Sequence, residues 1–426
     1  MTSITESFAA AEAARKQRPR NPQLGHITGI ILVALTEIIQ CYSAHFKVWP
    51  ILVYFAIWFG VLLLKGFSLL RINATFLWLL ALPLLSDLST LWSDYPNTSI
   101  YLGTALIVTF FCITIINRAV TFASLLLGLI IGTDLALLIS VASGIYSFDV
   151  MSGSYSLTGY FGSKNEIGFV AELGLILCVT LLTRRASSIS SRVLSFFSFI
   201  FCLYCMHVSH SGTSLLSFIA SVAAMLFVLA VARTPAAIRA AFLGLSLLMI
   251  VALTSTVIAF GGQDLVLKSL GKDTTLTGRT YLWHEGIKIG MEHPLLGHGY
   301  NAFWVQGNPR AERYWHEFFI DDRSGFHFHS SFVQSFVDLG LVGMLLVVGY
   351  LLANIIVSLR AMMRRGVNSE RVMLFGLSIM FLIRAWPEVD FFSIPFGIGT
   401  LYFYSVLLRL SEDKRAYEKA AAVQAA

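Results

Sequence analysis

Charge is what this sequence has least of. Asp, Glu, Lys and Arg make up 13% of its 426 residues, against roughly 25% in a soluble domain. Apolar types make up 56%. A chain so poor in charge cannot cover its apolar surface in water, so its solvent is lipid. Cysteine is also scarce. Cys41, Cys112, Cys178, Cys202 and Cys205 all fall inside or at the edge of apolar runs and read as small apolar residues. Cys202-Leu203-Tyr204-Cys205 has the spacing of a metal motif, but no second pair accompanies it. The short alternating segments of a membrane β-barrel are missing, because the apolar runs are continuous. An early apolar run is missing too. Met1 to Leu24 is polar and the first run is Ile27 to Cys41, too late for a cleaved signal, so it is expected to be a retained span.

What is present predicts an all-α integral membrane protein of about twelve transmembrane helices of roughly 20 residues. The expected spans are 27–44, 48–64, 74–91, 100–116, 122–143, 165–183, 193–207, 213–232, 238–260, 331–357, 372–386 and 391–409. They divide the chain into a polar tail (1–24), spans one to nine (25–260), one large outer loop containing short helices (261–330), spans ten to twelve (331–410) and a second tail (411–426). Lysine and arginine give the sidedness. With the N-terminus inside, the short inner loops hold Arg118, Arg184, Arg185, Arg192, Arg233, Arg360, Arg364 and Arg365, while most of the exceptions cluster in the 261–330 loop. Both termini are then cytoplasmic. The net charge of +6 is a matter of topology, and nucleic-acid binding is not called for.

The long loop holds six of the ten histidines, His284, His293, His298, His316, His327 and His329. Its Trp283, Trp304, Trp315, Tyr281, Tyr300 and Tyr314 suit either a headgroup belt or a sugar-stacking surface. Thr277-Gly278-Arg279-Thr280 precedes an amphipathic run, Tyr281 to Met291, whose Leu282, Ile287, Ile289 and Met291 are expected on the bilayer surface. Pro294 ends the run, and Gly297, Gly299 and Gly307 mark turns. Arg279, at a helix start beside free backbone donors, is either a diphosphate ligand or a snorkelling interfacial arginine. His327 and His329, before the tenth span, are either surface residues or a base that takes a proton from a hydroxyl. Their spacing also suits strand-like zinc ligation, but no further ligand cluster is evident. Lys164 opens the sixth span, and His207 and His210 close the seventh. Arg384 lies within the eleventh span, just before Glu388 and Asp390. An arginine there faces a cavity or a partner, and either acid would serve. All these groups fall at the outer ends of helices.

Several segments resemble the O-antigen ligase and polymerase family, and within it exopolysaccharide polymerases of the succinoglycan type. They are Leu91-Trp92-Ser93-Asp94-Tyr95-Pro96-Asn97-Thr98-Ser99, Gly159-Tyr160-Phe161-Gly162-Ser163-Lys164-Asn165, Thr277-Gly278-Arg279-Thr280-Tyr281-Leu282-Trp283, the run His293 to Phe303, and the run His329 to Gly343. The resemblance covers about residues 85–395 and keeps the motif order. Two positions depart from it. Gly212 follows Ser211 where the family has a basic residue, with His210 on the other side, and Ser330 replaces an asparagine.

The resemblance implies an inverting, metal-independent glycosyltransferase of the bacterial inner membrane that needs no cofactor. Its donor would be an undecaprenyl-diphosphate-linked oligosaccharide and its acceptor a saccharide. Membrane lipid, a flippase and a chain-length regulator are the partners it implies. In that reading Arg279 binds the diphosphate, with Lys164 and Arg384 as helpers. His329 is the base, His327 its rival, and His210 and Glu388 are accessory. A ligase that moves finished polymer onto lipid A core differs only in its acceptor. A flippase would use buried charges such as Glu37, Asp87, Asp134 and Glu172, although no internal repeat is visible. A membrane scaffold would need neither Arg279 nor His329.

Overall fold

The computed structural model describes residues 23–43, 48–149, 154–232, 234–235 and 278–425. The chain is a helical membrane protein. Its helices are α1 (His26–Cys41), α2 (Val48–Lys65), α3 (Ala74–Leu88), α4 (Pro96–Ala119), α5 (Phe122–Ser143), α6 (Lys164–Thr183), α7 (Ile189–Ser209), α8 (Gly212–Ala232), α9 (Arg279–Gly290), α10 (Pro309–Glu317), α11 (Ser331–Arg365), α12 (Ser369–Arg384) and α13 (Ile398–Ala425). Among the described residues, seven helical stretches are long and apolar enough to cross a membrane: Ala74–Leu91, α4, α5, α6, α7, α8 and α11. The expected span 238–260, the first part of the expected loop (261–277) and most of the N-terminal tail lie outside the described residues. The other expected spans each overlap a helix.

Helix starts follow from capping side chains, which satisfy the free N–H groups of a first turn. Asn73, Thr121, Ser163, Ser188 and Asn368 cap α3, α5, α6, α7 and α12 in this way. Helix α6 is the centre of the bundle, with 78% of its span buried inside the protein, whereas α7 and α8 bury 28% and turn the rest of their apolar surface outward.

The structure corrects the sequence reading in four places. Tyr146–Asp149 and Ser154–Leu157 pair as an antiparallel hairpin, a departure from an all-α chain. The helix of the last expected span begins at Ile398 rather than 391. Tyr300 donates its hydroxyl to the Phe392 carbonyl, Asn301 Nδ2 donates to the Ser393 carbonyl at 3.1 Å, and Pro395 disfavours helix before it. At the other end α13 continues through the expected tail to Ala425. Asp413 accepts from Arg371 at 2.6 Å and from Arg365 at 2.6 Å, and Glu412 pairs with Arg118 at 2.9 Å, which fastens the continuation to the bundle. Finally, Leu282 and Ile289 of α9 are buried in a cluster with Phe303, Ala311, Tyr314, Trp315, Phe328 and Val337, while Ile287 and Met291 remain exposed. Helix α9 packs on α11. A Cβ on Gly286 would meet Val333 at 2.5 Å and one on Gly290 would meet Phe336 at 2.5 Å, so the two glycines let the helices touch.

Helix α11 is broken at Gly340, whose φ is 62° and ψ −161°. The segment after α9 fills the break. His298 N donates to the Val337 carbonyl at 2.9 Å, Gly299 N to the Asp338 carbonyl at 2.9 Å, and Leu341 N to the Pro294 carbonyl at 2.8 Å. These bonds satisfy the backbone groups that the break releases. His298 also bonds Asp94 Oδ2 through Nδ1 at 2.7 Å and the Ile289 carbonyl through Nε2 at 3.0 Å. The motifs around Asp94, His298 and Gly340 are therefore one interlocked unit beside the start of α11.

Candidate active site

Helix α9 starts at Arg279 because Gly278 takes a left-handed turn, φ 84°. This aims the Arg279 guanidinium inward, where it is 6% exposed. Its Nη2 donates to Glu388 Oε1 at 2.9 Å and its Nη1 to the Pro387 carbonyl. Glu388 lies on the turn after α12. Ser331, the first residue of α11, holds that turn: its N–H donates to the Ala385 carbonyl at 2.9 Å, and its Oγ donates to the Glu388 carbonyl at 2.8 Å. The other Glu388 oxygen, Oε2, faces His329 Nδ1 at 3.9 Å. His329 has φ 49°, a left-handed conformation uncommon for residues with a side chain but one in which histidine is enriched. Its N–H donates to His327 Nδ1 at 3.0 Å, and its carbonyl accepts from Trp283 Nε1 at 3.2 Å. Arg279, Glu388, His329 and His327 thus form one cluster.

The electrostatics divide the cluster into charged and neutral members. Burial pushes the Glu388 carboxyl up, but Arg279, then His329 and Arg384, outweigh it and hold the group well below the usual carboxylate range. Burial, and after it the neighbouring His329, holds His327 well below the ordinary histidine range. With Nδ1 accepting a backbone N–H, the neutral His327 ring carries its proton on Nε2. His327, His329 and Glu388 bring ligand-capable atoms within 4.8 Å of one another. The set suits a metal ion poorly: the His327 tautomer leaves it no free lone pair, and Arg279 already neutralises the carboxylate.

Arg384 stands behind this cluster. It meets Asp390 with two bonds, Nε to Oδ2 at 2.6 Å and Nη2 to Oδ1 at 2.9 Å. Its Nη1 donates to Glu172 at 3.2 Å and to Ser214 at 2.9 Å. Phe169 covers the guanidinium at 4.4 Å. Of the two acids expected as its partner, Asp390 bonds this arginine; its second acid is Glu172, and Glu388 accepts from Arg279 instead. Lys164 opens α6, and the same turn carries Glu166, which lies within electrostatic reach of Asp390 and Glu388. His210 caps α7 with φ 51°; its ring lies 6.0 Å from His207. Its neighbour Ser211 donates to Asn165 Oδ1 at 3.2 Å. The four acids named for a flippase each have a local partner: Glu37 accepts from Thr133 and Tyr402, Asp87 from Thr104, Asp134 from Ser198 and Glu172 from Arg384. The sequence marks Ser331 only as part of the run His329 to Gly343 and does not point to Ser214 or Glu166. Their contacts are not legible along the chain, because they come from elements that meet only in the fold.

The arrangement sets a buried cation, Arg279, against one oxygen of a carboxylate whose other oxygen faces His329. A family model described as O-antigen ligase matches residues 197–348. The chain is 34% identical over 400 residues, 93% of its length and 91% of the relative's, to the exopolysaccharide production protein ExoQ of Rhizobium meliloti. This chain belongs to the O-antigen ligase and polymerase family.

Proposed function

We propose that the protein joins saccharide repeat units carried on a polyprenyl diphosphate, at the outer face of the bacterial inner membrane. The observation that carries this reading is Glu388 standing between Arg279 at 2.9 Å and His329 at 3.9 Å. An acceptor sugar hydroxyl attacks the anomeric carbon of the donor. The carbon–oxygen bond to the diphosphate breaks on the opposite face, with inversion. His329 takes the hydroxyl proton, and the lipid diphosphate departs with the bond's electron pair. Arg279 faces the growing charge on the departing oxygen, and preorganised cations of this kind supply several kcal/mol (about 3–4) of transition-state stabilisation. Glu388 positions the His329 ring and favours its protonated form. Lys164, at the start of α6, adds positive charge for the diphosphate. Arg384 and His210 act through the shell behind.

The reaction runs without a metal ion, because Arg279 supplies the charge that one would bring. In this topology the chain crosses the membrane twelve times, both termini are cytoplasmic and the 261–330 loop is outside. The basic inner loops support that sidedness. The name of the Rhizobium relative speaks of exopolysaccharide production, whereas the O-antigen ligase model favours transfer of finished polymer. Purified protein in nanodiscs, given only a polyprenyl-diphosphate-linked repeat unit, should form a ladder of products without added metal. A ligase would leave the substrate unchanged, and a flippase would move labelled lipid across a liposome bilayer without making a glycosidic bond.

A further inference from the structure

Between Ala385 and Pro387 the turn after α12 carries Trp386. Trp315 is buried in the loop's own core, and Trp304 packs against that core through Phe303, Phe326 and Phe328, so neither is spent on solvent. Trp386 is 60% exposed, although Ala385 and Glu388 beside it are buried. An exposed indole is ordinarily free to turn, and this one is held. Trp283 meets it edge to face, with centroids 5.5 Å apart and planes at 73°. Phe332 supports it at 6.1 Å. Its backbone is pinned by the Ser331 N–H on the Ala385 carbonyl and by Arg279 on the Pro387 carbonyl. Trp283 in turn donates to the His329 carbonyl.

A held indole with an open surface is thus coupled on one side to Arg279 and on the other to the backbone of His329. Sugar rings present faces of C–H groups that suit an aromatic surface, and a rigid aromatic loses little entropy when it is covered. A headgroup anchor would account for the exposure. It would not need a second tryptophan against its edge, nor a turn tied to the two residues that face the reacting groups.

We propose that Trp386 is the stacking platform for a sugar ring of the saccharide substrate, a reading that rests on the glycosyl transfer proposed above. The platform seats the ring beside His329 and Arg279 and sets the preference for the sugar that bears the reacting hydroxyl. It does not touch the diphosphate.

The test uses the full chain in nanodiscs, with Trp386→Ala and Trp386→Phe variants checked for folding by size exclusion. The probes are the lipid-linked repeat unit, for turnover, and the lipid-free repeat-unit oligosaccharide, for binding. Trp386→Ala should raise KM and weaken binding of the free oligosaccharide about tenfold, which is a loss of one decade in affinity, with kcat within about twofold. Trp386→Phe should recover most of both. If Trp386→Ala does not fold, Trp386→Phe still decides: oligosaccharide should change tryptophan emission in the parent protein and not in this variant. Unchanged KM and oligosaccharide affinity in Trp386→Ala, or an equal emission change in Trp386→Phe, overturns the platform. Equal loss of affinity for polyprenyl diphosphate without sugar assigns Trp386 to lipid and also overturns it. A parent protein that binds oligosaccharide yet makes no glycosidic bond overturns the glycosyl-transfer reading, and the platform with it.

Discussion

Arg279 and Glu388 stand 109 residues apart in the chain, and their side chains meet at 2.9 Å. One carboxylate oxygen is thereby fixed on the guanidinium while the other faces His329 at 3.9 Å. Glu388→Gln keeps the shape and removes the charge. The expected result is a fall in kcat on the order of a hundredfold, the lower range for loss of acid–base assistance, with KM for the lipid-linked donor little changed. The acid limb of the pH–kcat profile should also move to lower pH, because a neutral amide no longer stabilises protonated imidazole. A Glu388→Gln enzyme with the parent kcat and pH profile removes Glu388 from the mechanism.

His327 gives a separate pH signature. Its folded-state proton affinity is depressed by burial and by His329, whereas an unfolded histidine titrates near 6.5. The folded protein therefore binds fewer protons, and stability falls as pH drops below about 6.5 towards the folded value. Glu388 is also depressed, but its contribution is lost only below the ordinary carboxylate range, so the two windows separate. In His327→Asn the side-chain oxygen still accepts the His329 N–H and nothing titrates. Its thermal midpoint should fall less than the parent's between about pH 7 and pH 5. Equal slopes would place the acid sensitivity elsewhere.

The membrane character and most of the helices are legible in the sequence because hydrophobic length is a property of consecutive residues. The site is legible only in part. Arg279, His329 and Glu388 stand out as polar groups at helix ends, but their contacts depend on α9, α11 and α12 meeting. Arg384 shows the limit most clearly: its near partner, Asp390, lies a few residues on, while Glu172 joins from 212 residues away. The glycines of the 293–303 run read locally as turns, yet their purpose is to fill a broken helix. No local pattern announces that Gly340 needs Pro294 to Gly299 against it.

That break yields a structural prediction. Gly340 combines φ 62° with ψ −161°, a region that costs other residues about 1–3 kcal/mol. A Cβ there would also lie 2.3 Å from the Leu295 carbonyl carbon. Gly340→Ala should therefore sharply reduce the monodisperse protein seen by fluorescence-detected size exclusion. Gly366→Ala makes a fair control: its φ is also positive, but open space surrounds it. Equal yields from the two would mean that the packed segment is dispensable.

Sidedness can be read chemically because the five native cysteines are buried. Asp322 and Lys419 are exposed, one on the segment between α10 and α11 and one on the extension of α13. A membrane-impermeant maleimide should label Asp322→Cys in spheroplasts and should label Lys419→Cys only after permeabilisation. Labelling of Lys419→Cys in intact spheroplasts would invert the topology and move the proposed chemistry to the wrong side.

Arg384 decides between a diphosphate helper and a framework ion. Its bonds to Asp390, Glu172 and Ser214, with Phe169 over its face, leave its donors engaged. Removing one partner of a buried pair is costly, on the order of 3–5 kcal/mol, because the remaining charges stay in a medium that cannot solvate them. Lysine keeps the charge but cannot reproduce the two-bond contact to Asp390. Arg384→Lys should therefore lower the thermal midpoint by about 1–2 °C, the order expected for a loss of about 1–2 kcal/mol in a chain of this length. The protein that remains folded should keep the parent KM for the lipid-linked donor. A helper on the diphosphate predicts the reverse, a normal midpoint with KM raised about tenfold or more. Glu172→Gln separates the readings again, because it loosens the framework without touching any group that faces the donor, and it should lower the midpoint alone.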